Sequence, residues 1–157
     1  MKTSTKGGLI AASAGLMALA ITTIAQFEGR ELRAYQDIVG VWTICYGETR
    51  GVTRGQVATK DECESMLARA VGEYEAGLDR CLAVPVPGKT KVALVSWAYN
   101  VGLGAACGST LIRFVNAGNL RAACEQLPRW NRAGGRVVQG LVNRRTAERK
   151  QCLEGLG

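Results

Sequence analysis

An uncharged run of 21 residues, 7–27, constrains this chain more than any other feature. Lys2 and Lys6 precede the run, and charged residues resume at Glu28. As an α-helix rising about 1.5 Å per residue, the run would reach about 30 Å, the thickness of the hydrocarbon core of a bilayer. Lysines on its N-terminal side favour an N-terminus in the cytoplasm and a body on the far side of the inner membrane.

The run is only weakly apolar, and three interpretations of it are open. Eight of its residues are large and apolar and six are Ala, so we expect a reversible anchor with a small preference for lipid. Ala18-Leu19-Ala20 resembles a signal-peptidase site, which makes a cleaved signal peptide the second interpretation. The third, a buried first helix of a cytosolic protein, leaves the lysines and the cysteines unexplained. On the first interpretation, residues 1–27 are a signal anchor and residues 28–157 are the body.

Six cysteines and no histidine narrow the chemistry of the body. Without His, a Ser-His-Asp triad, a Cys-His pair and a His-ligated zinc are excluded, and we expect no metal or cofactor. An even number of cysteines in an exported domain indicates three disulfides. Fifteen pairings are possible, and closing the shortest loops predicts Cys45–Cys63, Cys81–Cys107 and Cys124–Cys152.

The positive charge is concentrated at the C-terminal end of the chain. Of 20 basic and 13 acidic residues, nine basic and three acidic ones lie in residues 111–157. A segment with this excess attracts polyanions such as nucleic acid, acidic lipid headgroups or an anionic cell wall. Charge alone does not choose among these partners.

The pattern of the body predicts a small sheet followed by helices. Residues 41–46 are rich in β-branched and aromatic side chains and indicate a strand. Thr59 and Glu62 form a capping box that begins a long helix, which we expect Pro85 and Pro87 to stop. Further helices are predicted at 91–101, 109–116, 119–127 and 141–153. The fold class is therefore α+β, with a small β-sheet lobe and a helical lobe joined by a long helix.

Three side chains near the start of the body are candidates for catalysis. Glu28 is expected in the last turn of a helix that Gly29 ends, where the helix dipole and the apolar Phe27 favour the protonated form that a general acid needs. Asp37 follows nine residues later in a turn, where a carboxylate can stay ionised. Two carboxyl groups in such different surroundings can break a glycosidic bond. The Thr43 hydroxyl is placed to orient the attacking water.

The stretch from Phe27 to Ile44 resembles the active-site signature of the phage T4-type lysozymes, glycoside hydrolase family 24. That signature is Glu, eight residues, Asp, five residues and Thr, which Glu28, Asp37 and Thr43 match without a gap. The likeness continues through residues 97–102, 108–111, 130–135 and 140–149. In one departure, Glu48 stands where many relatives have His, so any role of that His is not carried over.

The whole chain resembles lambdoid phage endolysins of the signal-anchor-release type, the phage 21 type. This resemblance implies a lysozyme-like fold and hydrolysis of the β-1,4 bond between N-acetylmuramic acid and N-acetylglucosamine in peptidoglycan. Glu28 would be the acid, with Asp37 and Thr43 on the water side and no cofactor. The protein would be inactive while tethered to the host inner membrane, then released to the periplasm as a monomer. No nucleic-acid partner is implied.

Two alternatives accompany this interpretation. The stem peptides of peptidoglycan are anionic and would suit the basic C-terminal end, but Arg144 and Arg145 beside Glu148 can equally form ion pairs within the protein. A cationic wall-binding or membrane-disrupting protein without catalysis is the alternative function from another class.

Overall fold

The N-terminal helix is the first element of the fold. A computed structural model describes residues 6–157, with side chains from residue 14 onward. The first five residues of the expected anchor, Lys2 among them, lie outside this range. Helix α1 spans Lys6–Glu28, and Gly29 follows it with a φ of +65°, a conformation that glycine adopts without strain. The predicted end of this helix is confirmed.

Within the described residues, two two-stranded sheets, six further α-helices and the 3₁₀-helix Leu127–Arg129 follow α1, in the order expected for an α+β fold. The elements are β1 (Glu31–Gln36), β2 (Trp42–Cys45), α2 (Lys60–Asp79), α3 (Gly88–Val101), α4 (Leu103–Cys107), α5 (Thr110–Asn116), α6 (Leu120–Gln126), β3 (Arg132–Ala133), β4 (Arg136–Val137) and α7 (Gln139–Glu154). Strands β1 and β2 form the small lobe, α2 connects the lobes, and α3 to α7 form the helical lobe. The sequence did not predict α4 or the β3–β4 hairpin, because five-residue and two-residue elements have no periodicity to recognise.

The β1–β2 hairpin carries two of the predicted site residues. Its strands are antiparallel, with Tyr35 opposite Thr43 and Gln36 opposite Trp42. Asp37 closes the turn, since its N–H donates to Val41 O at 2.9 Å. Strand β2 is buried on both faces at Thr43, Ile44 and Cys45. It is therefore part of the core.

Helix α2 begins as predicted and ends earlier than predicted. Glu62 N donates to the Thr59 hydroxyl at 3.1 Å, and Thr59 N donates to a Glu62 carboxylate oxygen at 2.8 Å, which confirms the capping box. The helix ends at Asp79, well before Pro85. The backbone beyond it instead bonds to the Asn116 side chain, which accepts from Ala83 N at 2.7 Å and donates to Cys81 O at 2.9 Å. A tertiary contact therefore ends α2 before the prolines do.

The core lies around α3, as its nearly all-round apolar sequence predicted. Trp97 on α3 is completely buried, and its ring contacts Trp130 edge to face with centroids 5.3 Å apart. These contacts make Trp97 a packing residue of the core. Helix α7 packs along α3, and the helical lobe is organised around this pair.

Helix α1 packs on α2 and α3 and contributes to the same core. Ile24 is completely buried and Ala20 is 4% exposed. The helices approach closely where Leu16 meets Gly88, because a Cβ added to Gly88 would lie 2.9 Å from Leu16 Cδ2. Among the helices within residues 6–157, none is both long enough and apolar enough to cross a bilayer.

The six cysteines form the three disulfides that the shortest loops predicted. Cys45–Cys63 ties β2 to α2, Cys81–Cys107 ties the end of α2 to α4, and Cys124–Cys152 ties α6 to α7. Each bridge joins two elements that contact each other in the fold. The pairing follows because each short loop brings its two cysteines together once the helices pack.

Replacing Cys124 and Cys152 together by Ala should lower the free energy of unfolding by roughly 3–4 kcal/mol, since the bridge closes a loop of 28 residues. Urea unfolding of the oxidised protein, followed by circular dichroism, measures the change. Wild-type protein under reductant should unfold more easily than the variant, because it loses all three bridges. An unchanged urea midpoint in the variant would contradict the prediction.

Candidate active site

A cleft of about 510 Å³ opens between the two lobes, with Glu28 in its wall. Three carboxylates and three tyrosines line it: Glu28, Glu48, Glu73, Tyr46, Tyr74 and Tyr99. Glu28 reaches the cleft because it is the last residue of α1 and the chain turns away at Gly29. Its side chain is 21% exposed, so one side of the carboxyl faces solvent and the other faces the protein.

Arg144 of α7 holds the Glu28 carboxyl from the protein side. Its Nη1 donates to Glu28 Oε1 at 2.5 Å, and its guanidinium carbon lies 5.1 Å from the centre of the Phe27 ring. Its Nη2 donates to Ser96 O on α3 at 3.0 Å. The arginine is 5% exposed, and a buried charge-assisted pair of this kind positions both partners. The end of α1 is thus attached to α3 and α7 through one side chain.

Glu148 completes the buried charge cluster behind Arg144. Its Oε1 accepts from Arg144 Nε at 3.1 Å and from the Ser96 hydroxyl at 2.7 Å, while Arg145 Nε lies 2.7 Å from Oε2. Burial raises the pKa of Glu148 and lowers the pKa of Arg145, because the interior disfavours both charges. The ion pairs that the sequence allowed for Arg144, Arg145 and Glu148 are confirmed.

A second charge cluster lies on the opposite wall of the cleft. Arg50 Nε is 3.2 Å from Glu48 Oε1, and Arg50 Nη1 is 2.9 Å from Glu73 Oε2 on α2. Partial burial of Glu48 opposes its ionisation, but the hydrogen bonds and charge of Arg50 outweigh burial and lower the pKa of the carboxyl. Glu48, at the position where the sequence departs from related motifs, therefore links the small lobe to α2 as an anion.

The tyrosines close the cleft between these two clusters. The Tyr99 hydroxyl donates to Tyr46 O at 2.8 Å, and the Tyr99 and Tyr74 ring centroids are 5.1 Å apart. Burial is the largest cause that raises the pKa of Tyr99, so the phenol stays protonated and keeps this bond. Unlike Trp97, Tyr99 has a surface in the cleft as well as a packing role.

Asp37 and Thr43 lie together on the β1–β2 hairpin. Asp37 Oδ1 accepts from Val39 N and Val41 N, both at 2.9 Å, and the Thr43 hydroxyl donates to Val41 O at 3.0 Å. Thr43 is 5% exposed. The structure thus brings Glu28 into the cleft and Asp37 beside Thr43 at the hairpin turn, while neither hairpin side chain lines the 510 Å³ volume.

Comparison with known proteins identifies the family. Residues 25–148 match the family model described as phage lysozyme. The chain belongs to the phage lysozyme family. The match includes Glu28, Asp37, Thr43 and the buried Arg144–Glu148 pair, and it begins three residues before Glu28. This chain is therefore a lysozyme, a glycoside hydrolase that cleaves peptidoglycan.

Individual relatives agree with the family over nearly the whole chain. The SAR-endolysins of Enterobacteria phage PA-2 and Enterobacteria phage P21 are each 38% identical over 155 residues, covering 93% of this chain and 94% of theirs. Among solved structures, a P22 lysozyme mutant is 30% identical with a TM-score of 0.78, covering 87% of this chain and 96% of that chain. The lysozyme-like fold is confirmed.

Sequence reasoning missed the contact between Arg144 and Glu28, which lie 116 residues apart. The spacing of Arg144 and Glu148 by one helical turn indicated a local ion pair. The additional partner was not predictable, because Arg144 contacts Glu28 only after α1 and α7 have both packed against α3.

Substituting Arg144 by Met should lower the lysozyme rate roughly 100-fold, since a misplacement of about 1 Å at a reacting group has an effect of that size. The free energy of unfolding should fall by about 3–5 kcal/mol, because Glu148 loses one buried partner and Glu28 loses its only ion pair in the described structure. Release of reducing ends and urea unfolding measure the two effects.

Arg149 to Ala is the matched control for Arg144. Arg149 lies on α7, like Arg144, and pairs on the surface with Glu125 of α6. Both side chains are more than 40% exposed. Exposed pairs contribute little, so both rate and stability should stay near wild type. Equal losses in the two variants would mean that the buried cluster has no special role.

Proposed function

We propose that this lysozyme hydrolyses the β-1,4 bond between N-acetylmuramic acid and N-acetylglucosamine with Glu28 as the general acid. We further propose that it is held inactive in the host inner membrane by residues 1–27 and becomes active on release to the periplasm. One observation carries both parts: the carboxyl that borders the cleft belongs to the last residue of α1, and its position depends on the packing of that helix.

The geometry suggests how Glu28 would deliver its proton. Glu28 Oε1 accepts a hydrogen bond from Arg144 Nη1, so the proton would be carried on Glu28 Oε2. From there it would pass to the glycosidic oxygen as the bond to the sugar C1 breaks. After the transfer the carboxyl is an anion, and Arg144 stabilises that anion directly.

Asp37 and Thr43 would act on the water side of the sugar. Two backbone N–H groups donate hydrogen bonds to Asp37 Oδ1, which leaves Asp37 Oδ2 to accept a hydrogen bond from water. The Thr43 hydroxyl donates its proton to Val41 O, so toward a water it can act only as an acceptor. Together they would orient a water for attack on the sugar C1. The Asp37 carboxylate would stabilise positive charge developing on the sugar ring and accept the proton that the water loses as its oxygen bonds to C1. No cofactor is required.

Replacing Glu28 by Gln should lower the rate of reducing-end release from purified peptidoglycan by roughly 10²- to 10⁴-fold, because the amide has no proton to donate. Glu31 to Gln is the control, since this exposed carboxyl on β1 lies three residues beyond Glu28 and should leave the rate unchanged. A Glu28 variant as fast as wild type would overturn the assignment.

The Glu28 to Gln variant also distinguishes an enzyme from the alternative function, a cationic wall-binding or membrane-disrupting protein without catalysis. Lysis of permeabilised Gram-negative cells should disappear with Glu28 to Gln if hydrolysis causes it. Lysis by charge alone would survive, because the nine basic residues of the C-terminal end are untouched. The protein would then bind the wall or membrane without catalysis.

The hydrogen bonding of the buried cluster supports dependence on α1. Behind the cleft, Arg144 and Arg145 lie beside Glu148, and all three side chains are at most 5% exposed. Glu28 supplies a further acceptor for Arg144 Nη1 only when α1 is packed. Since a buried donor without a partner is unfavourable, this cluster favours docking of α1 and the placement of Glu28 in the cleft.

The membrane part of the proposal draws on the relatives and on the first helix. The phages PA-2 and P21 have proteins named SAR-endolysins that align with 93% of this chain. Within α1 the outward positions are small or polar: Ala14, Gly15, Ala18, Thr22 and Gln26 are exposed when the helix is packed. A helix that is weakly apolar on its outer side can leave lipid when the membrane potential collapses. The released protein would then be a monomer bound to peptidoglycan, with no nucleic-acid partner.

Leucine at Ala14, Gly15 and Ala18 together should lock the protein in the membrane. These positions face solvent in the packed helix, and a Cβ at Gly15 would meet no atom within 4 Å. The purified variant should therefore keep its activity on peptidoglycan, while in cells it stays in the membrane fraction and lysis is delayed.

Serine at the same three positions is the matched control and should be released at least as readily as wild type. Unchanged lysis timing in the leucine variant would contradict release from the bilayer. Intact mass of the active soluble protein separates release from cleavage, since retention of residues 1–20 excludes a signal peptide removed after Ala20.

A further inference from the structure

Helix α1 buries one polar side chain against the body, and the mechanism does not use it. Among its described side chains, Thr23 is the only polar one below 9% exposure, at 6%. Its hydroxyl oxygen accepts from Gln151 Nε2 of α7 at 3.3 Å. The side chains by which α1 joins the core are otherwise apolar, among them Leu16, Met17, Ala20 and Ile24.

We propose that the hydrogen bond between Thr23 and Gln151 sets the register in which α1 docks, and thereby places Glu28 against Arg144. Thr23 and Gln151 are positioning residues in this account. The inference rests on the proposed role of Glu28 as the acid. It adds the residues that decide where along the body the helix comes to rest.

Apart from the close approach of Leu16 to Gly88, the apolar contacts of α1 leave the register weakly defined. Hydrophobic contact is not directional, and the apolar side chains recur at spacings of three and four, so a slip of one turn again places apolar groups on the body. Such a slip moves the helix by about 5.4 Å. Glu28 Oε1 now lies 2.5 Å from Arg144 Nη1, and it would lose that contact.

The polar pair distinguishes the correct register from its neighbours. A slip of four residues, about one turn, would bring Leu19 or Phe27 to the Gln151 amide in place of Thr23. Gln151 Oε1 is already buried with no hydrogen-bond partner among residues 14–157, so the amide would then have none at either end. Removing the partner of a buried polar group is unfavourable, and single buried polar residues specify register in other helix pairs.

Gln151 and Arg144 stand on the same face of α7. They are seven residues apart, close to two helical turns, so both reach the packed α1. One directional contact therefore holds the middle of the docked segment, and the other holds its catalytic end.

The test uses purified full-length protein with Thr23 changed to Val, Gln151 changed to Leu, and both changes combined. Each single change should lower the urea midpoint by leaving one partner unpaired. The double change should recover most of that loss, because it removes both polar groups. The double variant should nevertheless keep a kcat on peptidoglycan about fivefold to tenfold below wild type with KM unchanged, since slipped registers lack a placed Glu28.

Two further variants separate positioning from packing. Thr23 to Ser keeps the hydroxyl and should keep the wild-type kcat. Thr90 to Val removes another buried hydroxyl bond, the 2.7 Å donation to Cys152 O between α3 and α7, and should lower the urea midpoint without changing kcat.

A double variant with restored stability and full kcat would overturn the proposal, because the pair would then be a packing contact only. Should the double variant remain destabilised, Thr23 to Ser and Thr23 to Val decide, and equal kcat values in these two overturn the proposal. Glu28 to Gln, assayed in parallel, distinguishes a failure of the proposed function from a failure of the register inference. If Glu28 to Gln is active, the proposed function fails; if it is inactive while the double variant has full kcat, only the register inference fails.

Discussion

The guanidinium of Arg144 joins the active site to the fold. It donates to Glu28 on α1, to the backbone of Ser96 on α3 and to Glu148 on its own helix. It also lies over the ring of Phe27. Three helices that are distant along the chain therefore meet at one planar group with five fixed donors, a geometry that only arginine supplies. The position of the Glu28 carboxyl follows from this meeting.

Under the proposed role of Glu28, activity depends on the packing of the first helix. A catalytic residue within a stable core helix would be in place whenever the protein is folded. Glu28 instead ends a helix with a weakly apolar outer side, and Arg144 lacks one of its acceptors without it. On this proposal, folding of α1 onto the body and completion of the site are one event, as an enzyme that is silent until release would require.

The local features of the fold were predictable because their causes are local. The capping box at Thr59, the end of α1 at Gly29 and the nearly all-round apolar α3 each depend on residues a few positions apart. The disulfides were predicted because each bridge closes a short loop. The early end of α2 was not predictable, because the Asn116 side chain donates a hydrogen bond to Cys81 O from 35 residues away. The short β3–β4 hairpin was missed because it has too few residues to show a pattern.

The sequence by itself determined the family, the α+β class and the spacing of Glu28, Asp37 and Thr43, since these are statements about order along the chain. Tertiary structure decided what surrounds those groups. It put Arg144 beside Glu28, placed Asp37 in the turn of a hairpin and Thr43 on its second strand, and set Thr23 against Gln151 across 128 residues. The physical reason is that hydrogen bonds and ion pairs act over about 3 Å, and only packing brings residues so far apart in the chain within that distance.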